Sequence, residues 1–87
     1  MVQAKMTINN PAGLHARPAA QFVKTSSSFK SKVKIEANSK TADGKSILSV
    51  MAMGVTKGTT INVSVDGPDE KECLAALKKL VDSNFGE

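Results

Sequence analysis

The spacing of hydrophobic positions predicts most of the architecture. Val2, Ala4, Met6 and Ile8 alternate with Gln3, Lys5 and Thr7, the period of a strand that buries one face. Asn9-Asn10-Pro11-Ala12-Gly13 reads as a loop, rich in turn residues. A helix should start at about His15 or Ala16, because Pro18 fits only in a first turn, where its missing N–H costs no intrahelical bond. Ala16, Ala19, Ala20 and Val23 share its apolar face, widened by Phe22, and Ser26-Ser27-Ser28 should end it. Val33, Ile35 and Ala37 alternate with lysines and a glutamate to give a second strand. Asn38-Ser39 turns the chain into a short third strand, Lys40 to Asp43. Ser46 before Ile47-Leu48-Ser49-Val50-Met51-Ala52-Met53, with Gly54 after, matches an N-capped helix of two turns at most. Ile61, Val63 and Val65 form a fourth strand. Gly67-Pro68-Asp69 opens a last helix with the apolar stripe Cys73, Leu74, Leu77, Leu80 and Val81, stopping near Gly86. This order predicts one α+β domain over residues 1–87, with a four-stranded, mainly antiparallel sheet covered on one side by three helices.

Composition narrows the class. Hydrophobic residues make up 40% and charged residues 23% of the 87, ordinary for a globular chain. No apolar run approaches the ~20 residues of a membrane span, and the first residues lack the apolar segment of a signal peptide. Cys73, the single cysteine, makes neither an internal disulfide nor a cysteine-rich metal site. A cytoplasmic protein without membrane contact is expected. Residues 1–45 hold eight Lys/Arg against two Asp/Glu, net +6, while residues 46–87 carry net −2. A basic face suits an acidic partner, a phosphate or nucleic acid. With three Phe and no Trp or Tyr, few rings are available to stack on bases, which disfavours nucleic acid.

The basic half contains Gly13-Leu14-His15-Ala16-Arg17-Pro18, with the only histidine of the chain and its only arginine. Histidine is the side chain whose ordinary pKa lies nearest physiological pH. The first amides of a helix have no intrahelical acceptor and, with the helix dipole, favour an anion. Ala16 and Arg17 would supply such amides, and the Arg17 guanidinium a fixed charge shaped for phosphate oxygens. An imidazole placed there can take a phosphoryl group as a nucleophile. The other reading is a loop histidine that merely caps a helix. One histidine builds no catalytic triad and no metal cluster, so a group carrier served by other proteins' catalysis fits better than a self-sufficient enzyme, and no cofactor is expected.

These residues carry a family resemblance. Gly13 to Pro18 is similar to the active-site motif of HPr, the histidine-containing phosphocarrier of the bacterial phosphoenolpyruvate–sugar phosphotransferase system. Lys45-Ser46-Ile47-Leu48-Ser49-Val50-Met51, ending at Gly54, resembles the second motif of that family. The likeness spans the chain and implies an open-faced β-sandwich. It implies that His15 accepts a phosphoryl group through Nδ1 from phosphorylated enzyme I and passes it to sugar-specific IIA domains, with Arg17 contacting the phosphate. It further implies phosphorylation of Ser46 by HPr kinase/phosphorylase, recognition by a catabolite-control repressor, and a Gram-positive-like type.

Physics alone makes Ser46 an N-cap. Ile47, Leu48 and Met51 read either as core or as an apolar docking patch. Ile47 and Leu48 point in different directions and cannot be equally buried. A basic rim of Arg17, Lys24 and Lys45 is expected around the patch, with Ala20 beside it. Many relatives carry a basic residue where this chain has Ser27, a departure expected to weaken one charge contact and to bear on partner preference. Cys73, Met6 and Met53 read as packing, and Lys30, Lys32 and Lys34 as solvated. A carrier with one shared docking face should be a monomer. The alternatives are a regulatory, nitrogen-type HPr paralogue with the same histidine chemistry and, more remotely, a small basic nucleic-acid-binding domain.

Overall fold

The computed structural model describes residues 1–11 and 13–86. Strand β1 (Val2–Thr7) leads through a loop to helix α1 (Ala16–Ser27). Strands β2 (Lys32–Ala37) and β3 (Lys40–Asp43) form a hairpin, followed by helix α2 (Ile47–Ala52), strand β4 (Thr60–Asp66) and helix α3 (Glu70–Asp82). The sheet order is β1-β4-β2-β3, and all three pairings are antiparallel.

The alternation seen in the sequence becomes a two-faced sheet. Register aligns Ala4 with Val63, Val63 with Ile35, and Ile35 with Ala42, so one apolar row crosses all four strands. Ile35, Ile61, Val63 and Val65 are fully buried, with Phe22 of α1, Val50 of α2 and Leu77 of α3 in the same core. On the opposite face Gln3 and Lys5 of β1 and Lys32, Lys34 and Glu36 of β2 are exposed. The hairpin turn has Asn38 at φ 52 and Ser39 at φ 63, the two left-handed residues that match strand twist.

Two expectations need correction. The buried side of α1 is Pro18, Ala19, Phe22, Val23 and Ser26, whereas Ala16 and Ala20 are exposed. At about 100° per residue, Ala19 and Ser26 flank the large Phe22 ring while Ala20 falls roughly opposite it. Ser26 is tolerated inside because its hydroxyl donates to the Phe22 carbonyl at 2.9 Å. The last helix ends at Asp82 rather than near Gly86. The chain then reverses through Asn84 (φ 54) and Phe85 (φ 58) to bury the Phe85 ring. Asp69 stands at the start of α3, where its side chain makes no capping bond. Its carboxylate crosses instead to the α1–β2 loop, accepting from the amides of Lys30 (2.9 Å) and Ser31 (3.0 Å) and from the Ser31 hydroxyl. These bonds hold the Asp69 carboxyl below its ordinary pKa, with the Ser31 hydroxyl the leading cause.

Candidate functional site

The loop that delivers His15 is zipped to the segment between α2 and β4. Ile8 donates to Thr59 O at 2.9 Å and accepts from Gly58 N at 2.6 Å, and Leu14 donates to Val55 O at 3.0 Å. Leu14 and Val55 are both buried. Gly13 is required here: its φ is +63, and a Cβ would collide with the Val55 carbonyl and lie 2.8 Å from Thr56 Cα.

His15 is the residue before the first turn of α1, extended at φ −101 and ψ −172, and it is exposed. Its carbonyl takes the first helical bond, from Ala19 N at 2.8 Å. Its ring makes no capping bond, so the imidazole nitrogens remain available. Pro18 has no N–H to offer. The open amides of this helix end are therefore those of Ala16 and Arg17. No acidic residue occupies the first turn, and among the described residues no carboxylate pairs with the exposed Arg17. An exposed nucleophilic nitrogen thus sits beside two free donors and a fork-shaped cation, an arrangement fitted to a group carrying several anionic oxygens. No cluster of metal-ligating side chains occurs among the described residues.

Helix α2 stands against α1 and the β3 edge. Ser46 caps it, its hydroxyl oxygen accepting from Ser49 N at 3.3 Å. Val50 is the residue it sinks into the core; Leu48 is 82% exposed, Ile47 43%, and Met51 half-buried. The core reading of Ile47 and Leu48 therefore fails, and their unequal exposure follows from their adjacent positions on a short helix. Ala20 and Lys24 are exposed on α1, the helix that α2 packs against. Lys45 does not join the expected basic rim. Its ammonium donates to Phe29 O at 2.8 Å, at the far end of α1. Ser27, also exposed, closes that helix. A groove of about 540 Å³ between β2–β3 and Ser49 contains no residue of the His15 loop.

Sequence reasoning missed the supports of the site. Asn10 reads as an ordinary turn residue, yet it is fully buried and its side-chain amide donates to Gly13 O at 2.8 Å. Val55 lies outside every element the sequence predicts. Nothing local signals either role, since both depend on a contact with a distant segment. Among the described residues no helix is long and apolar enough to cross a membrane.

Comparison with known proteins agrees with this geometry. The family model described as the PTS HPr component phosphorylation site matches residues 2–83. Phosphocarrier protein HPr of Cupriavidus necator is 41% identical over 87 residues, covering 100% of this chain and 98% of that protein. The crystal structure of HPr from Thermoanaerobacter tengcongensis superposes with a TM-score of 0.97 at 44% identity, covering 100% of this chain and 98% of that one. The histidine-containing phosphocarrier protein of Mycoplasma gives a TM-score of 0.90 at 38% identity, covering 97% of both chains. Agreement in sequence, in fold and in full-length coverage admits one assignment: the chain belongs to the HPr family, the phosphocarriers of the phosphotransferase system.

Proposed function

We propose that this carrier holds its phosphoryl group on His15, taking it from phosphorylated enzyme I and passing it to sugar-specific IIA domains in the cytoplasm. The observation that carries the reading is the placement of the chain's only histidine, exposed at the start of α1 beside the open amides of Ala16 and Arg17. The lone pair of one imidazole nitrogen, Nδ1 by family resemblance, forms the new N–P bond. The donor's bond to phosphorus breaks, and its electrons return to the donor. The other ring nitrogen keeps the proton. The Ala16 and Arg17 amides and the Arg17 guanidinium meet the phosphoryl oxygens, which is the positioning and charge stabilisation that such transfers need. Return of the group to an acceptor reverses the same steps, so the protein needs no catalytic base of its own.

Docking is assigned to the exposed side of α1 and α2: Ala20, Lys24, Ile47, Leu48 and Met51. Their mixture of apolar centre and basic margin suits a partner that is met and released repeatedly. Ser46 is assigned as a regulatory phosphorylation site for HPr kinase/phosphorylase, creating a form recognised by a catabolite-control repressor. Its half-buried hydroxyl at the mouth of α2 supports this, since a phosphate there agrees with the local helix dipole and adds negative charge at the margin of the docking surface.

The test is incubation with enzyme I and labelled phosphoenolpyruvate, followed by acid treatment. Label that is acid-labile and absent from His15→Ala supports the assignment. Label retained by His15→Ala, or no label on the parent protein, defeats it. A parallel incubation with ATP and the kinase should give acid-stable label that Ser46→Ala loses.

A further inference from the structure

We propose that Asn10 is a positioning residue of the phosphoryl site. Its side chain fixes the peptide plane that leads into His15 and so sets how the imidazole faces the open amides of α1. This rests on the assignment of His15 as the acceptor.

Asn10 is 0% exposed and is the one amide side chain among the buried polar residues described, which are otherwise Ser26, Ser31 and Ser64. Ser26 bonds within its own helix and Ser31 to Asp69. Asn10 alone serves the loop before His15. Its Nδ2 donates to Gly13 O at 2.8 Å, and its carbonyl accepts from Gly13 N at 3.0 Å. Both polar backbone groups of Gly13 are thus held by one residue. The Gly13 carbonyl shares a peptide plane with the Leu14 N–H, which donates to Val55 O at 3.0 Å. That plane is therefore pinned at both edges, by Asn10 on one side and by the α2–β4 segment on the other.

The next residues convert this into position. Leu14 is 1% exposed, so its side chain anchors the chain in the core, and His15 follows directly at the surface. Without the Asn10 amide, a carbonyl in a buried turn loses its donor, and rotation of the Gly13–Leu14 plane becomes cheaper. Such rotation swings the start of α1 and the imidazole relative to each other. A displacement on the order of 1 Å at a reacting group costs roughly 100-fold in rate. The docking residues Ile47, Leu48 and Met51 lie on a different element and are not moved by it.

The experiment compares Asn10→Ala and Asn10→Ser with the parent and with Val81→Ala, a buried change on α3 outside the site. Transfer of labelled phosphate from enzyme I is followed in single turnovers over a range of carrier concentrations, below the melting transition of each variant. The Asn10 variants should lose roughly 10- to 100-fold in the saturating rate, with the half-saturating concentration unchanged within about twofold. Val81→Ala should change neither, despite its loss of stability. Amide resonances in the Asn10 variants should move from Gly13 to Arg17 and not on α2. A folded Asn10→Ala with a saturating rate within about twofold of the parent overturns the proposal, as does an equal loss in Val81→Ala. Should Asn10→Ala not fold, Asn10→Ser carries the same expectations, because its hydroxyl is too short to reach Gly13 O. Absence of label from His15 in the parent protein defeats the acceptor assignment instead, so the two failures are distinguishable.

Discussion

Truncating Leu48 to alanine should separate docking from folding more cleanly than any other single change. Leu48 is 82% exposed in the free protein, so it contributes little to the core, and a surface truncation of this kind changes stability by less than about 0.5 kcal/mol. Its reserve lies in what a partner can cover. Fully burying a leucine side chain gains roughly 1.5–3 kcal/mol relative to leaving it exposed. About four-fifths of that is still to be gained on docking, and alanine keeps only one of the four side-chain carbons. The expected loss is therefore roughly 1–2 kcal/mol, or about 5- to 30-fold in kcat/KM for phosphorylation by enzyme I. Ile47, 43% exposed, should show about half that free-energy effect. Leu77 supplies the converse: it is fully buried, so Leu77→Ala should cost roughly 2–5 kcal/mol of stability and leave kcat/KM unchanged while the protein stays folded. The assay is labelled-phosphate transfer at varied carrier concentration, with urea unfolding on the same samples. Two results refute the reasoning. One is kcat/KM for Leu48→Ala within about twofold of the parent. The other is a stability loss above about 1.5 kcal/mol, which would mean that the side chain is packed in solution.

Two further outcomes follow from named bonds. Ser46→Ala removes the acceptor for Ser49 N and should cost roughly 0.5–1 kcal/mol in urea unfolding, whereas Ser46→Asp keeps a cap and the fold. Ser46→Asp should nonetheless slow phosphorylation by enzyme I, by about tenfold for one like-charge contact at a docking margin, and equal rates would contradict the placement of Ser46 at that margin. Asp69→Asn should change the acid limb of stability. The folded Asp69 carboxyl is held below the ordinary 3.8, so its contribution is fully present above that value and is lost as pH falls through the lower, folded pKa. Urea unfolding should thus show Asp69→Asn less stable at neutral pH, with the difference closing in acid, and a difference that does not shrink as the pH falls would refute the link.

Much of the fold was legible because its causes are local. Alternation in Val33, Ile35 and Ala37 needs only a sheet with one covered face. Ser46 and Gly54 mark the ends of α2 because a cap hydroxyl and a left-handed residue (φ 66 at Gly54) serve the helix they adjoin. The placement of His15 and Arg17 together at a helix start was legible in the same way. Misreadings occurred where a distant group decides. Ala16 and Ala20 fit either side of a helix, and the Phe22 ring chose the other side. Lys45 resembles a rim cation until the Phe29 carbonyl, sixteen positions away, claims it. Asp69 reads only as the opening of α3, because the Lys30–Ser31 loop that takes its carboxylate lies far off in the sequence. Asn10 belongs with these, because a turn residue and a buried clasp are spelled alike.

The exposure of His15 bears on why a relay is built this way. On the proposed assignment, a phosphoryl group there would meet two backbone amides and one solvated guanidinium, not a closed cavity. A helix terminus contributes roughly 0.3–1 kcal/mol to an exposed anion, and an exposed ion pair about as much again at most. The total, about 0.3–2 kcal/mol, is roughly 2- to 30-fold in an equilibrium constant. That is enough to orient the group and too little to trap it. A buried pocket with several cations would hold the group more tightly and oppose its transfer onward. The rigidity that such a pocket would provide comes instead from behind the site, through the bonds that tie Gly13 and Leu14 to Asn10 and Val55. Weak binding in front and firm backbone support behind are separate requirements, and this fold meets them with separate residues. Changes to the front, such as Arg17→Ala, should therefore shift how tightly the group is held as well as the rate of transfer, whereas changes behind should alter the rate alone.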